Sequence, residues 1–271
     1  MKKHKGLKIF YTALILVFLY APIITLMVLS FNKSKSRSNW GGFTLEWYQA
    51  LLENSYLTNA FSNTIIIALV SAFVATIFGT LACLGMIFMK RRSRSLIMGM
   101  TNIPMLNADI VTGISLMLLF IACRMTMGAA TVLLAHITFN IPYVILSVMP
   151  RFRQFNHSVY EAALDLGATP VYAFKKVVLP DILPGIFSGF TMAFTMSLDD
   201  FIITHFTKGP GFDTLSTKIY SEVKKGIKPE IYALSTIMFT VVLLLLAIVN
   251  ARPWLAKNRF ENSGRRWKRK N

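Results

Sequence analysis

Ser158-Val159-Tyr160-Glu161-Ala162-Ala163-Leu164-Asp165-Leu166-Gly167-Ala168-Thr169-Pro170, followed at a distance by Leu179-Pro180, lies between two stretches long enough to cross a membrane. Nothing in the segment has the makings of an active site, but its construction is specific. Ser158 and Glu161 stand at capping-box spacing, where hydroxyl and carboxylate satisfy backbone donors at a helix start. Gly167 supplies the residue that most easily ends a helix in a left-handed conformation. Thr169-Pro170 restarts one, with threonine as cap and proline in the first turn. The expectation is two short helices on the membrane surface, joined at a glycine and closed by Leu179-Pro180. Ala162 and Ala163 carry small side chains that let another protein come close, so the segment reads as a docking element.

The surroundings are hydrophobic. About 20 apolar residues at 1.5 Å rise span the hydrocarbon layer, and six such runs occur: Ile9–Phe31, Phe61–Met89, Ile97–Cys123, Gly128–Met149, Gly185–Thr207 and Ile231–Asn250. They are too long for ordinary soluble core helices, and the alternating strands of a membrane barrel are absent. The fold class expected is all-α, a polytopic membrane protein with six transmembrane helices. Residues 1–8 form an N-terminal tail, residues 9–250 the transmembrane domain with its loop over 150–184, and residues 251–271 a basic C-terminal tail. No linker rich in proline, glycine or serine separates a second folded unit, and no internal repeat is visible.

Orientation follows from charge. Of 29 Lys and Arg, 20 lie in the N-terminal tail, the loops after spans two and four, and the C-terminal tail. Basic residues stay preferentially on the cytoplasmic side, which places both termini and the Glu161 loop there. The net charge of +17 sits beside the spans, as in Lys90-Arg91-Arg92. Topology and anionic headgroups account for it, so no nucleic-acid partner is expected. The N-terminal apolar run exceeds a signal-peptide core and lacks an Ala-x-Ala cleavage site, which reads as an uncleaved first span. Cys83 and Cys123 have no metal-ligand spacing and imply no disulfide framework.

Two spans carry unusual polar content. In the third, Asn102, Pro104, Asn107, Asp109 and Gly113 interrupt the apolar run. Either the helix breaks against protein or a watery path, or the span begins near Ile110 and Asp109 sits at the interface. In the fifth, Asp199 and Asp200 fall deep inside; a mid-span aspartate costs about 2.5–3.5 kcal/mol on insertion scales. Ser188, Thr191, Thr195 and Asp199 form one helical stripe, and Ser197, Asp200 and Thr204 a second. Adjacent residues differ by about 100°, so one acid is expected to face a pathway and the other a neighbouring helix or a partner subunit. Asp199, Asp200, Asp109 and Thr195 are the candidate pathway residues, where buried carboxylates would replace water around a polycation's ammonium groups. His136 in the fourth span reads as a hydrogen-bonded packing residue, and Pro142 as a kink.

The Glu-Ala-Ala, three-residue, Gly spacing with its Leu-Pro ending resembles the signature loop of bacterial ABC-importer permeases. Trp40-Gly41-Gly42-Phe43-Thr44-Leu45-Glu46-Trp47-Tyr48, otherwise readable as aromatic membrane anchors, resembles the first outer segment of the polyamine branch. His136-Ile137-Thr138-Phe139-Asn140-Ile141-Pro142-Tyr143, Ser197-Leu198-Asp199-Asp200 and Gly209-Pro210 extend that likeness. The resemblance implies a type I (MetI-like) permease fold in a bacterial inner membrane, and a function in ATP-driven uptake of spermidine or putrescine. It also implies an ABC ATPase dimer, a second homologous permease subunit and a periplasmic or lipid-anchored substrate-binding protein. Glu161, Ala162, Ala163, Asp165, Leu166, Gly167, Leu179 and Pro180 would form the ATPase-coupling loop. Ferric-ion and thiamine importers share the loop and stand as the alternative; anion carriers would gain nothing from two acids. The chain has no Gly-x-x-x-x-Gly-Lys-Ser/Thr loop, so ATP and Mg are expected on the partner ATPase and no cofactor on this chain. An intramembrane aspartyl protease would need two acids converging from different helices; adjacent acids on one helix do not. No enzyme activity is expected.

Overall fold

The structure, a computed structural model, describes residues 5–36, 38–226, 228–244 and 247. The whole C-terminal tail, residues 251–271, and the end of the sixth expected span lie outside the described residues. Among those described, the chain is helical throughout apart from its loops and one isolated bridge between Asn32 and Phe43. It divides into two compact units, residues 1–59 with 218–245 and residues 60–217 with 246–271.

In the first unit, α1 (Lys5–Ser30) is apolar and exposed on nearly every side. A helix apolar all round is stable only in hydrocarbon or against another apolar chain. The loop after it is clasped by Asn32, which is buried. Its Oδ1 accepts from Ser34 N–H (3.1 Å) and Gly41 N–H (2.8 Å), and its Nδ2 donates to the Asn39 carbonyl (2.9 Å). Trp47 and Tyr48 on α2 (Glu46–Glu53) tie that loop down. The Trp47 indole donates to the Asn32 carbonyl at 2.8 Å, and the Tyr48 hydroxyl meets Ser30 Oγ at 2.7 Å. These two aromatics hold the loop, while Trp40 and Phe43 stay exposed.

The second unit holds most of α3 (Ser55–Ile87), then α4 (Arg91–Leu106), α5 (Asp109–Ala122), α6 (Ala129–Gln154), α7 (His157–Asp165), α8 (Pro170–Ala173), α9 (Leu179–Asp199) and α10 (Ile202–Thr207). Beyond these, α11 (Leu215–Lys225) begins in the second unit and passes into the first, where α12 (Pro229–Leu244) follows. Among the described residues, α1, α3, α6 and the continuous stretch Pro170–Asp199 are long and apolar enough to cross a membrane, and α4 with α5 forms a bent fifth candidate. The sixth expected span is described only as α12.

At the centre of the second unit, α6 packs along α9 through Gly185-x-x-x-Gly189. A Cβ at Gly185 would lie 2.7 Å from Arg151 Cγ, and one at Gly189 would lie 3.3 Å from Val144 Cα. Small residues four apart let two membrane helices approach closely, and packing then replaces the missing hydrophobic drive. On the other side Gly79 of α3 meets the same Val144, where a Cβ would stand 2.7 Å from Cγ1.

The third span departs from a single helix over Ile97–Cys123. Its two halves, α4 and α5, meet at 103°. Pro104 lies in the last turn of α4, Asn107 and Ala108 are extended, and Asp109 is the first residue of α5. Proline withholds an N–H from the helix, and an acid at the new N-terminus complements its dipole. The run is thus broken at Asn107-Ala108, and Asp109 stands exposed at a helix start rather than mid-helix.

Candidate functional site

The segment around Glu161 forms as two joined helices, with two corrections. Asn156, rather than Ser158, caps α7: its side-chain oxygen accepts from the Ser158 N–H at 3.1 Å. Asparagine is among the best N-caps, and it starts the helix at His157. Ser158 and Glu161 therefore fall inside the helix, and no Ser158–Glu161 capping box forms. Replacing Asn156 with alanine should cost about 1 kcal/mol of local helix stability. Amide exchange across α7 should then accelerate about fivefold, with Asn156→Ser near wild type.

The end of α7 is as expected. Gly167 has φ +86°, the Gly167 N–H donates to the Leu164 carbonyl at 2.8 Å, and the Ala168 N–H donates to the Ala163 carbonyl at 3.1 Å. This pair of bonds is a Schellman ending, which satisfies carbonyls the helix would leave open. Thr169 then caps α8, accepting from the Tyr172 N–H at 3.4 Å, with Pro170 in the first turn.

The second correction concerns Leu179-Pro180. These residues do not close the segment, because α8 passes through a wide π turn, Phe174–Val178, straight into α9. The Leu179 N–H reaches back to the Phe174 carbonyl. A widened turn accommodates a proline that an ordinary helix interior would reject. Of the expected loop 150–184, the first residues belong to α6 and the last to this long helix. Between them the surface is polar at Glu161 and Asp165 and apolar at Val159, Leu166, Val171 and Tyr172, all exposed; Leu166 is 89% exposed. Ala162 is exposed and Ala163 half-buried.

The fifth span is broken too. α9 ends at Asp199, Asp200 is extended (φ −64°, ψ 124°), and α10 starts at Ile202. The two acids part as their 100° offset requires. Asp199 is exposed, whereas the Asp200 side chain is only 8% exposed. Asp200 Oδ1 accepts from the Ile203 N–H (3.2 Å), and Oδ2 accepts from the Thr204 N–H (2.8 Å) and hydroxyl (2.7 Å). It thus supplies acceptors for the open end of α10.

Beside it His136 is buried, as a hydrogen-bonded packing residue should be. Its Nδ1 lies 2.6 Å from Ser197 Oγ, and its Nε2 lies 2.9 Å from Thr204 Oγ1 and 3.4 Å from Asp200 Oδ2. The second polar stripe, Ser197, Asp200 and Thr204, therefore converges on one imidazole although its helix is interrupted.

On the first stripe, Thr195 is half-buried and donates to the Thr191 carbonyl at 2.8 Å, leaving Asp199 at the stripe's end. Asp109 is exposed at the first residue of α5. The structure thus separates the candidate acids into one bound in the protein, Asp200, and two exposed at helix ends, Asp199 and Asp109. Sequence reading passed over the Gly185/Gly189 packing and the Asn156 cap. Both were visible as spacing: small residues four apart, and an asparagine two residues before the serine.

The described residues combine helices long and apolar enough to cross a membrane with an exposed helix–glycine–helix segment. The chain matches the family described as "Binding-protein-dependent transport system inner membrane component" over residues 75–252. It is 38% identical to the spermidine/putrescine transport system permease protein PotC of Shigella flexneri, over 92% of this chain and 94% of that one. It is likewise 38% identical to the putrescine transport system permease protein PotI of Escherichia coli (strain K12), over 83% of each. Among solved structures, a chain of a bacterial ABC transporter involved in the import of the acidic polysaccharide alginate superposes with TM-score 0.70 at 17% identity. That match covers 95% of this chain and 98% of the other. A chain of the MetNI methionine ABC transporter gives TM-score 0.55 at 15% identity, over 82% and 99%. The chain belongs to the binding-protein-dependent (ABC) importer family of inner-membrane permeases, with the MetI-like fold. It is a transport subunit and not an enzyme.

Proposed function

We propose that this chain is one permease of an importer for polyamines, spermidine or putrescine. The observation that carries the reading is the exposed carboxylate of Asp199 at the broken end of a membrane-spanning helix, in a chain whose curated relatives are polyamine permeases. An acid in that position is stabilised by facing water or a cation rather than lipid. The C-terminal end of α9 also carries the negative pole of the helix dipole, which favours a passing ammonium group. Asp109 and Thr195 are assigned to the same path, and Asp200 sits behind it as a structural acid.

The exposed Val159, Leu166, Val171 and Tyr172, with Ala162 between them, supply the apolar contact by which α7 and α8 dock on an ABC ATPase dimer. ATP and Mg belong to that partner. A second homologous permease completes the pathway, and a periplasmic or lipid-anchored binding protein delivers substrate. Both termini face the cytoplasm, as the charge distribution supports.

The test is ATP-dependent uptake of labelled spermidine and putrescine by the full complex in proteoliposomes with the binding protein. Accumulation of either supports the assignment, and accumulation of neither rejects it. Within an active complex, Asp199→Asn should raise KM for the polyamine about tenfold, the size of one lost charge-assisted contact. An unchanged KM would remove Asp199 from the path.

A further inference from the structure

A break between two consecutive helices leaves donors and acceptors open on both sides of it. Here the two half-helices α9 and α10 are joined across the break by a single side chain from a third helix. His136 has only two polar atoms. Nδ1 is committed to Ser197 on α9, before the break, and Nε2 to Thr204 and Asp200, after it. The ring is 1% exposed, so no water competes for either contact.

The same helix also holds the far end of α10, where Thr131 Oγ1 donates to the Thr207 carbonyl at 2.8 Å. From Ser197 the network continues to Ser71 Oγ of α3 at 3.1 Å, and Asn140, one turn along α6 from His136, donates to that same Ser71 at 3.5 Å. α10 is therefore attached to α9 by more than its two-residue linker, through the imidazole of His136.

We propose that His136 is a positioning residue for transport, a brace that makes α10 follow α9. Movement entering at α7 and α8 passes along the continuous helix to Asp199. Without the brace, α9 would move while α10 stayed behind, and nucleotide would be consumed without substrate crossing. The inference rests on the proposed docking of α7 and α8 on the ATPase, and on the polyamine reading only through the choice of labelled substrate.

The test compares His136→Leu, Thr204→Val and Thr204→Ser in the reconstituted full complex, scoring polyamine transported per ATP hydrolysed. Thr204→Val removes the hydroxyl while keeping the shape, and Thr204→Ser keeps the hydroxyl. Losing one buried partner shifts an equilibrium by about tenfold. The expected result is an approximately tenfold lower transport-to-hydrolysis ratio in His136→Leu and Thr204→Val. KM and binding-protein stimulation of the ATPase should be unchanged, and the ratio should be restored in Thr204→Ser. A merely structural residue would lower the amount of assembled complex and leave that ratio alone. A wild-type ratio in Thr204→Val, or uptake and hydrolysis falling together, overturns the proposal; Thr204→Val decides alone if His136→Leu does not assemble.

If the wild type imports neither polyamine, the substrate reading fails and the brace is judged separately. Nitroxides at Phe187→Cys and His205→Cys, in a Cys123→Ser background, should give a narrow distance distribution that broadens on adding Thr204→Val. An unchanged distribution would dismiss the brace.

Discussion

Gly167→Val permease is expected to insert and to assemble with its partners, yet to lose the stimulation of ATP hydrolysis by the loaded binding protein. Gly167 adopts φ +86° with open space around the position of a Cβ, so the effect is conformational and not a clash. A side chain in the left-handed region costs about 1–2 kcal/mol, and a β-branched one stands at the upper end. Valine would pull the residue out of that region and break both bonds of the helix ending, to Leu164 and Ala163. Leu166 and Thr169 flank the turn, so the exposed apolar side chain of Leu166 and the cap of α8 would be displaced together. Stimulation should fall about tenfold or more, by the same magnitude, measured as phosphate release with and without binding protein. Gly167→Asn should retain most of it, since asparagine tolerates this conformation. Full stimulation in the valine variant would detach the segment from coupling.

Gly209→Ala should be the most damaging single methyl in the second unit. A Cβ there would stand 1.9 Å from the Met127 carbonyl oxygen and 2.5 Å from its carbon. Both atoms are backbone, so no side-chain rotation relieves the contact. The loop must move, and it is held on both sides. Thr207 bonds Thr131, Lys208 pairs with Asp213, and the Asp213 carbonyl accepts from Asn63 Nδ2 at 3.0 Å. Overpacking normally costs about 1–3 kcal/mol, and this case belongs at or above that limit. The expected outcome is a large loss of monodisperse protein in detergent and a lower Tm. Gly99→Ala, on a helix with nothing within 4 Å, is the control and should be neutral or slightly stabilising. Equal behaviour of the two would show that the loop yields.

The helical membrane architecture was legible because length and apolarity suffice to place spans, and because Gly167 and Thr169-Pro170 encode their turns locally. The places where sequence reading fell short share a physical cause. Asn156 and Ser158 are both good caps, and a periodic pattern cannot choose between them. The break at Asn107 follows local residues, Pro104 before it and Asp109 after it, whereas the one at Asp200 depends on a partner distant in sequence. Asp200 becomes affordable at low exposure because Thr204 and His136 meet it, and His136 is more than sixty residues away. At the second break apolar residues continue on both sides of the two acids, so hydropathy shows an uninterrupted span there. The parting of Asp199 from Asp200 was readable from angle alone; which one turned inward required knowing where α6 lies.

The wide turn at Phe174–Val178 has a consequence for phase. From Pro170 to Asp199 the helix runs 30 residues without a gap, about 45 Å at 1.5 Å per residue. Each residue along it adds about 100° of rotation, and a π turn amounts to one surplus residue accommodated in place. The azimuth of Tyr172 relative to Asp199 is therefore set by counting: a one-residue deletion anywhere between them would swing one face by roughly a quarter-circle. This stretch should accept many exchanges of side chain and almost no change of length.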